Sequence, residues 1–403
     1  MPNRPAVLFA AFDAVPAPKG ASVHILESVR ALARFADVDL VTLPGTIATG
    51  AESGPGADRP GVPPGVRHYP IVRPEENFLQ RALAFGDSVA ERLVAHDYQV
   101  VHVRSIWEGT PARLLQPQRG YRLVYEVNGL PSIELRAHYA GLTGNRELLF
   151  RLRSQERALL HAASLVITQS QTTRRLLQTL GAPADRLRVI PNGVDPDRFD
   201  GGTAPANDPP TVLYLGTLAP WQGLEFLVAA LRLLAPDREF RARLVGSGRK
   251  EWRKSLEREI RRTGLDGRVE LLPPVAPAEV SALLEAADIC VAPLAVTERN
   301  VRQGCCPLKI LEYMAAGRPI VAPRLPVVRE LLTEGETALL YKPDRPRRLA
   351  EALTCLLDDP ALRARLGAAA RHTVCARLTW EHHHQALIHA YGGMLEKGKS
   401  EEE

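Results

Sequence analysis

Lys309 and Glu312 stand three residues apart in the run PLKILEYMAAG, a spacing that sets an ammonium and a carboxylate on one face of a helix. From that spacing alone two readings are open. The pair could bond to each other as an i, i+3 salt bridge, or both could serve a ligand held over the first helical turn. Gly304, Cys305 and Cys306 come before Pro307, whose fixed φ suits the start of a helix. Backbone N–H groups around 304–309, Leu308 among them, are therefore available to an anion. A cation in the first turn opposes the helix dipole, and Lys309 bears that cost, which points to a negative partner.

Other strand-to-helix loops carry weaker signals of the same kind. In PAPKGASVH, Gly20 and Ala21 let bare backbone approach a phosphate or sugar, with Ser22 as a cap and His24 close behind; a plain capping turn is the other reading. VVHVR ends a strand with His102 and Arg104 on one face, placed either to touch a polar ligand or to lie satisfied in the interior. YEVNG ends at Asn128 and Gly129, with Glu126 on the face of Asn128; these groups suit sugar hydroxyls or ordinary turn chemistry. YLGTLAPWQG and LVGSGR place Gly216, Gly223, Gly246 and Gly248 at strand ends or helix starts.

The elements that must position these residues are legible as an alternation. AVLFAAF, VDLVTLP, QVVHVR, LVYEVNG, SLVITQS and LRVIPNG are short apolar runs separated by helical stretches, which predicts a parallel, doubly wound sheet. DGGTAPANDPP, residues 200–210, interrupts the pattern and reads as a linker. The alternation restarts with TVLYLGT, RARLVGSG, VELLPPV, DICVAPL and PIVAP. The expected organisation is thus α/β throughout: a Rossmann-like domain over 1–199, a linker over 200–210, a second such domain over 211–378 and a final helix over 379–396. Ligands of open α/β sheets sit at the carboxyl ends of the strands, so a cleft between two such sheets is the expected site.

Composition narrows the function. With 403 residues, 45% hydrophobic and 24% charged, the chain is globular. No apolar run approaches a membrane span, and AVLFAAF is ended too soon by Asp13 to be a signal peptide. Five cysteines without a CxxC pair indicate reduced thiols, the cytoplasm and no structural zinc. His382, His383 and His384 read as a solvated helix face, and no metal site is expected. The net charge of +5 is dispersed, favouring an anionic ligand or a lipid surface over nucleic acid. Residues 134–160 mix arginines with Tyr139, Leu148, Leu149 and Phe150. They read either as a basic amphipathic face for an anionic membrane, on its inner side, or as an ordinary packed helix.

VIPNGVDPDRF, LYLGTLAPWQGLEFLVAAL, RLVGSG, ADICVAPL and PLKILEYMAAGRPIVAP, in that order, resemble the retaining group 1 (family 4) glycosyltransferases of GT-B fold. The resemblance runs nearly end to end. It implies an acceptor-binding N-domain, a C-domain for a nucleotide-diphosphate sugar, and a last helix, beginning TWE, that crosses back to the first domain. It implies metal-independent transfer of a hexose to a glycan, lipid-linked or small-molecule acceptor, with no cofactor; UDP is the family's commonest nucleotide and GDP a second choice. Glu312 matches the glutamate that holds the ribose hydroxyls. The donor set implied is Gly20, Ala21, Gly216, Thr217, Gln222, Gly246, Arg302, Gly304, Cys305, Cys306, Leu308, Lys309, Ile310 and Glu312. Ser22, His24, Arg104 and Asn128 face the acceptor, and Asn128, His102 and Lys309 stand nearest the chemistry. The chain departs from the family where Gly304 replaces a first glutamate, Thr217 and Gln222 replace an Arg and a Lys, and Asn128 replaces a His. Arg302, Arg299, Lys309 and Arg249 lie near the expected phosphate loops, with Lys309 and Arg302 the expected substitutes. The departures keep a second reading open, a catalytically weak GT-B scaffold that binds a nucleotide or a protein partner.

Overall fold

The computed structural model describes residues 4–45, 61–72, 77–139, 141, 144–202 and 205–400. It divides into two compact units, one of residues 1–191 with 381–403 and one of 192–380.

In the first unit, seven parallel strands, β1 (Ala6–Val15), β2 (Asp37–Pro44), β3 (Val66–Pro70), β4 (Val100–Val103), β5 (Arg122–Val127), β6 (Leu165–Thr168) and β7 (Leu187–Val189), pair in the order β3-β2-β1-β4-β5-β6-β7. Between them run α1 (Gly20–Leu32), α2 (Phe78–Ala95), α3 (Ile106–Arg119), α4 (Pro131–His138), α5 (Arg146–Ala162) and α6 (Gln171–Thr179). The order reverses between β1 and β4, the switch point where α/β sheets open toward ligands. The inner strands are buried on both faces, as helices on both sides require; β4 and β6 are wholly buried.

The second unit repeats the plan. Strands β8 (Thr211–Leu215), β9 (Arg241–Val245), β10 (Val269–Leu272), β11 (Ile289–Val291), β12 (Ile320–Pro323) and β13 (Leu339–Tyr341) pair as β10-β9-β8-β11-β12-β13, all parallel. Its helices are α7 (Leu224–Leu234), α8 (Lys250–Arg262), α9 (Val280–Glu285), α10 (Leu308–Ala315), α11 (Pro326–Arg329), α12 (Pro346–Asp358) and α13 (Pro360–Arg377). The last helix, α14 (Trp380–Ser400), packs Leu387, Ala390, Tyr391 and Met394 into the core of the first unit beside Phe9 and Ile25.

The units divide at Pro191/Asn192, ahead of the expected 199/200 boundary. Val194 and Phe199 are buried in the second unit's core, and Val194 exchanges backbone hydrogen bonds with Leu378 and Trp380. Residues 200–210 are likewise not a free tether: the Arg318 guanidinium donates to the Gly202 carbonyl, and Asn207 donates to Asp288. Proline and glycine here shape a bound crossing; residues 203 and 204 lie outside the described ones.

Candidate active site

In the second unit the carboxyl ends of β8 and β9 meet the start of α10. Tyr313 fixes the helix to the strand, its hydroxyl accepting from the Leu215 N–H at 2.9 Å. One turn earlier, the Lys309 ammonium donates to the Tyr214 hydroxyl at 2.8 Å and to the Gln222 side-chain oxygen at 2.7 Å, and stands 4.0 Å over the Tyr214 ring. Gly216, at φ +145°, makes room: a Cβ there would lie 2.7 Å from the Lys309 Nζ. Gly246 is pressed against the Gly216 carbonyl in the same way. The two glycines thus pack strand ends close enough for a side chain from α10 to reach across β8.

Glu312 is half-buried, and among the described residues its carboxylate makes no hydrogen bond or ion pair. The Lys309–Glu312 bridge left open by the spacing is therefore not formed. Burial raises the Glu312 carboxyl from its ordinary 4.5 to about 7, against the pull of Arg198 and Lys309. Burial likewise lowers the Lys309 ammonium to about 7, with Glu312 opposing the shift and Arg299 adding to it. Two weakly paired, desolvated charges of opposite sign in one place are a recurrent mark of a functional site.

The neighbouring expectations fare unevenly. Gly304 closes a turn over Arg299–Gln303, and its N–H is used by the Arg299 carbonyl. The Cys306 carbonyl accepts from the Asn192 side chain at 2.8 Å, and Thr217, exposed, accepts the Tyr214 hydroxyl on its carbonyl. Cys305 and Leu308 are half-buried at the helix start, while Cys306 is buried. Two expectations need correction. Ile310 is buried in the core, with its N–H donated to Pro307, so it offers nothing to a ligand. Arg302 is 63% exposed and bonded to Glu298 at 3.1 Å, directed into solvent.

In the first unit the expected residues converge on a carboxylate that sequence reading noticed only as a neighbour of Asn128. Glu126, 1% exposed, accepts from His24, from the Asn128 amide at 2.9 Å and the Gln169 amide at 2.9 Å, and lies 3.0 Å from the His102 Nε2. Arg104 approaches the same carboxylate at 3.7 Å and bonds Asp13 at 3.0 Å. Burial pushes Glu126 upward, but His24, Arg104 and His102 hold it well below the usual carboxylate range. On the far side His102 meets the Tyr391 hydroxyl at 2.6 Å and stacks on Phe9, and His383 bonds the Pro191 carbonyl at 2.8 Å.

This arrangement corrects five assignments. His102 is 0% exposed, and its ring nitrogens face Tyr391 and Glu126, so it cannot touch a reactant. His24, Ser22 and Arg104 are also buried; Ser22 accepts the Ala17 N–H rather than capping α1, whose N-cap is Lys19. Asn128, Gly20 and Ala21 alone of this group reach the surface. His383 and His384 are buried rather than on a solvated face, bonded to Pro191 and Glu27. Their burial was detectable: His383, Leu387, Ala390, Tyr391 and Met394 recur at helical spacing.

The architecture is matched by known structures. Sucrose-phosphate synthase from Thermosynechococcus elongatus aligns with a TM-score of 0.80 at 22% identity, covering 98% of this chain and all of that one. HepE from Anabaena, in complex with UDP-glucose, aligns with a TM-score of 0.71 at 20% identity over 96% of this chain and 100% of its own. Both have the GT-B fold of two Rossmann-like domains. Residues 18–198 match the profile for Glycosyltransferase Family 4 and residues 209–359 that for Glycosyl transferases group 1. The chain belongs to the group 1, family 4 glycosyltransferases. A D-inositol 3-phosphate glycosyltransferase of Xylanimonas cellulosilytica is 29% identical to this glycosyltransferase over 398 residues, covering 92% of this chain and 91% of the relative. Within the family, the neutral Gln222 and the cation Lys309 now form one hydrogen-bonded unit.

Proposed function

We propose that this glycosyltransferase moves a hexose from a nucleotide-diphosphate sugar, a UDP-sugar before a GDP-sugar, to a hydroxyl of a glycan, lipid-linked or small-molecule acceptor. The carrying observation is Glu312, a half-buried carboxylate without a partner among the described residues. Its two oxygens suit the paired hydroxyls of a ribose, and the first-turn amides of Leu308 and Lys309 suit the phosphates that follow. Gly216 and Gly246 allow backbone to approach the same ligand. HepE is described with UDP-glucose and several relatives are D-inositol 3-phosphate glycosyltransferases, which supports a UDP-sugar donor and makes a phosphorylated polyol the first small acceptor to try.

In the transfer the sugar's C1–O bond to the diphosphate breaks, a bond to the acceptor oxygen forms, and the acceptor proton is lost. Negative charge grows on the leaving diphosphate, where fixed protein charges and helix N–H groups act. The family resemblance supports retention of the anomeric configuration and a diphosphate neutralised by the protein rather than by a metal. In the first unit Asn128 is the surface group for a sugar or acceptor hydroxyl, its amide N–H being held by Glu126. Five free cysteines agree with a cytoplasmic location. Phe150, 70% exposed, and Tyr139, 41% exposed, support peripheral contact with anionic lipid; failure to sediment with anionic liposomes at low salt removes that contact.

Thermal shift against UDP, GDP, ADP and TDP and their glucose, mannose and N-acetylglucosamine conjugates tests the donor site. A ligand at about 100 times its Kd adds roughly 2.7 kcal/mol. A shift with one nucleotide that Glu312→Ala abolishes supports the reading. Binding without any transfer or slow hydrolysis supports the scaffold instead, a reading favoured by Gly304, Thr217 and Asn128 at positions where the family carries catalytic side chains.

A further inference from the structure

The donor site as proposed lacks the cations that the glycine-rich loop of the family supplies, and the second unit contains a different source for them. We infer that the diphosphate is met by Lys309 from α10 together with Arg299 from the turn before it, both gathered at the Trp221–Gln222 corner, and that Arg302 has no part in it. The inference rests on the donor reading above.

Lys309 is the first observation. Its ammonium is enclosed, and its hydrogen-bond partners are a phenol and an amide oxygen, both neutral. Tyr214 in turn donates its O–H to the Thr217 carbonyl at 2.6 Å, so it is fixed as an acceptor toward Lys309. A half-buried cation whose hydrogen bonds all go to neutral groups, with Glu312 acting on it only at a distance, is weakly compensated, and an incoming anion relieves that state. The loop is shaped for this guest: Gly216 has the space of the lysine where any Cβ would stand, and Gln222 gives it an oxygen where a lysine would repel it.

Arg299 is the second. Its guanidinium lies over the Trp221 indole at 5.5 Å, and the same corner is pinned by Asn300, wholly buried, whose amide donates to the Trp221 carbonyl at 2.7 Å and the Ala295 carbonyl at 2.9 Å. Trp221 packs edge-on to Trp252, over which Arg249 lies at 5.0 Å. Arg299 is near enough to Lys309 for its charge to disfavour the ammonium. Two cations fixed on one corner suit a doubly charged group that lies between them. Arg302, one turn of chain away, is spent on Glu298 in solvent.

Isothermal titration with UDP, GDP, ADP, CDP and TDP, with the parent nucleosides and with pyrophosphate, tests the assignment on the full chain. Wild type is expected to bind one diphosphate and, more weakly, its nucleoside. Lys309→Met and Arg299→Met each weaken the diphosphate by about tenfold to a hundredfold, the worth of one hydrogen bond to a charged group, and leave the nucleoside unchanged. Arg302→Met binds as wild type. Adding Gln222→Lys to Lys309→Met returns an ammonium from the other end of the same hydrogen bond and recovers at least half of the loss on a logarithmic scale. Wild-type diphosphate affinity in both single variants, an equal loss in Arg302→Met, or no recovery in the double variant overturns the inference while leaving the donor site standing. Absence of binding by any diphosphate to wild type removes the donor reading and this inference with it.

Discussion

Glu312→Gln should make the ligand-free protein more stable while emptying the donor site. The folded carboxyl titrates at about 7 and the unfolded one near 4.5, because burial disfavours the charge. The native state therefore holds the proton over that interval and the unfolded state has lost it, so this group's contribution falls as pH rises through the window. By about pH 8 the penalty on the ionised form reaches roughly 3 kcal/mol, at about 1.36 kcal/mol per tenfold. That figure already includes the attraction to Lys309, so the variant, which has no charge to desolvate, gains about 2–3 kcal/mol at pH 8 and less than about 1 kcal/mol near pH 5. Urea unfolding followed by tryptophan fluorescence, with Trp221 and Trp252 both in the second unit, reads the difference from the shift in midpoint at constant slope. Wild type and variant of equal stability at pH 8, or a gap that does not widen between pH 5 and 8, would refute an unpaired, buried carboxylate at this position.

Three further outcomes follow from the same geometry. Because the free Lys309 titrates at about 7 and an anion stabilises its charged form, diphosphate affinity should fall by up to tenfold for each pH unit from about 7.5 to 9, with proton uptake on binding visible as a buffer-dependent heat. Gly216→Ala places a methyl 2.7 Å from the Lys309 Nζ on a backbone at φ +145°; the lysine is displaced and the backbone strained, so stability falls by about 1–3 kcal/mol and diphosphate binding weakens about tenfold, read by melting and by titration. Glu126→Leu leaves the buried donors of His24, His102 and Gln169, and the half-buried Asn128 amide, without this acceptor and should cost about 3–5 kcal/mol, seen by calorimetry as earlier melting of the first unit.

Much of the fold is legible because its inner strands are buried on both faces and so read as unbroken apolar runs. The strands missing from the sequence reading, β3 and β13, are both at sheet edges: VRHYP mixes polar residues into five positions and LLY is three residues long, too little for periodicity to register. Glu312 and Lys309 were visible because a charge inside an apolar helix has few structural excuses. Glu126 was harder. A carboxylate at the end of a buried strand looks like turn chemistry until its partners, drawn from α1, β4, the loop after β6 and the loop after its own strand, are brought together. The same holds for the cations: the sequence reading preferred Arg302 to Arg299, and it is the Trp221 indole beside Arg299 and the Glu298 carboxylate bonded to Arg302 that tell them apart.

The seating of α14 bears on how the molecule is made. Residues 192–380 form one continuous stretch with its own core, whereas the sheet built from the first 191 residues awaits Tyr391 for its buried His102, and Leu387 and Met394 to cover Phe9 and Ile25. On the ribosome the earlier-made sheet emerges with that apolar face and its histidines open to water, and closes only after the later-made unit has been synthesised. The half translated second is the half that completes its folding first, and the nascent first half is the natural client for a chaperone.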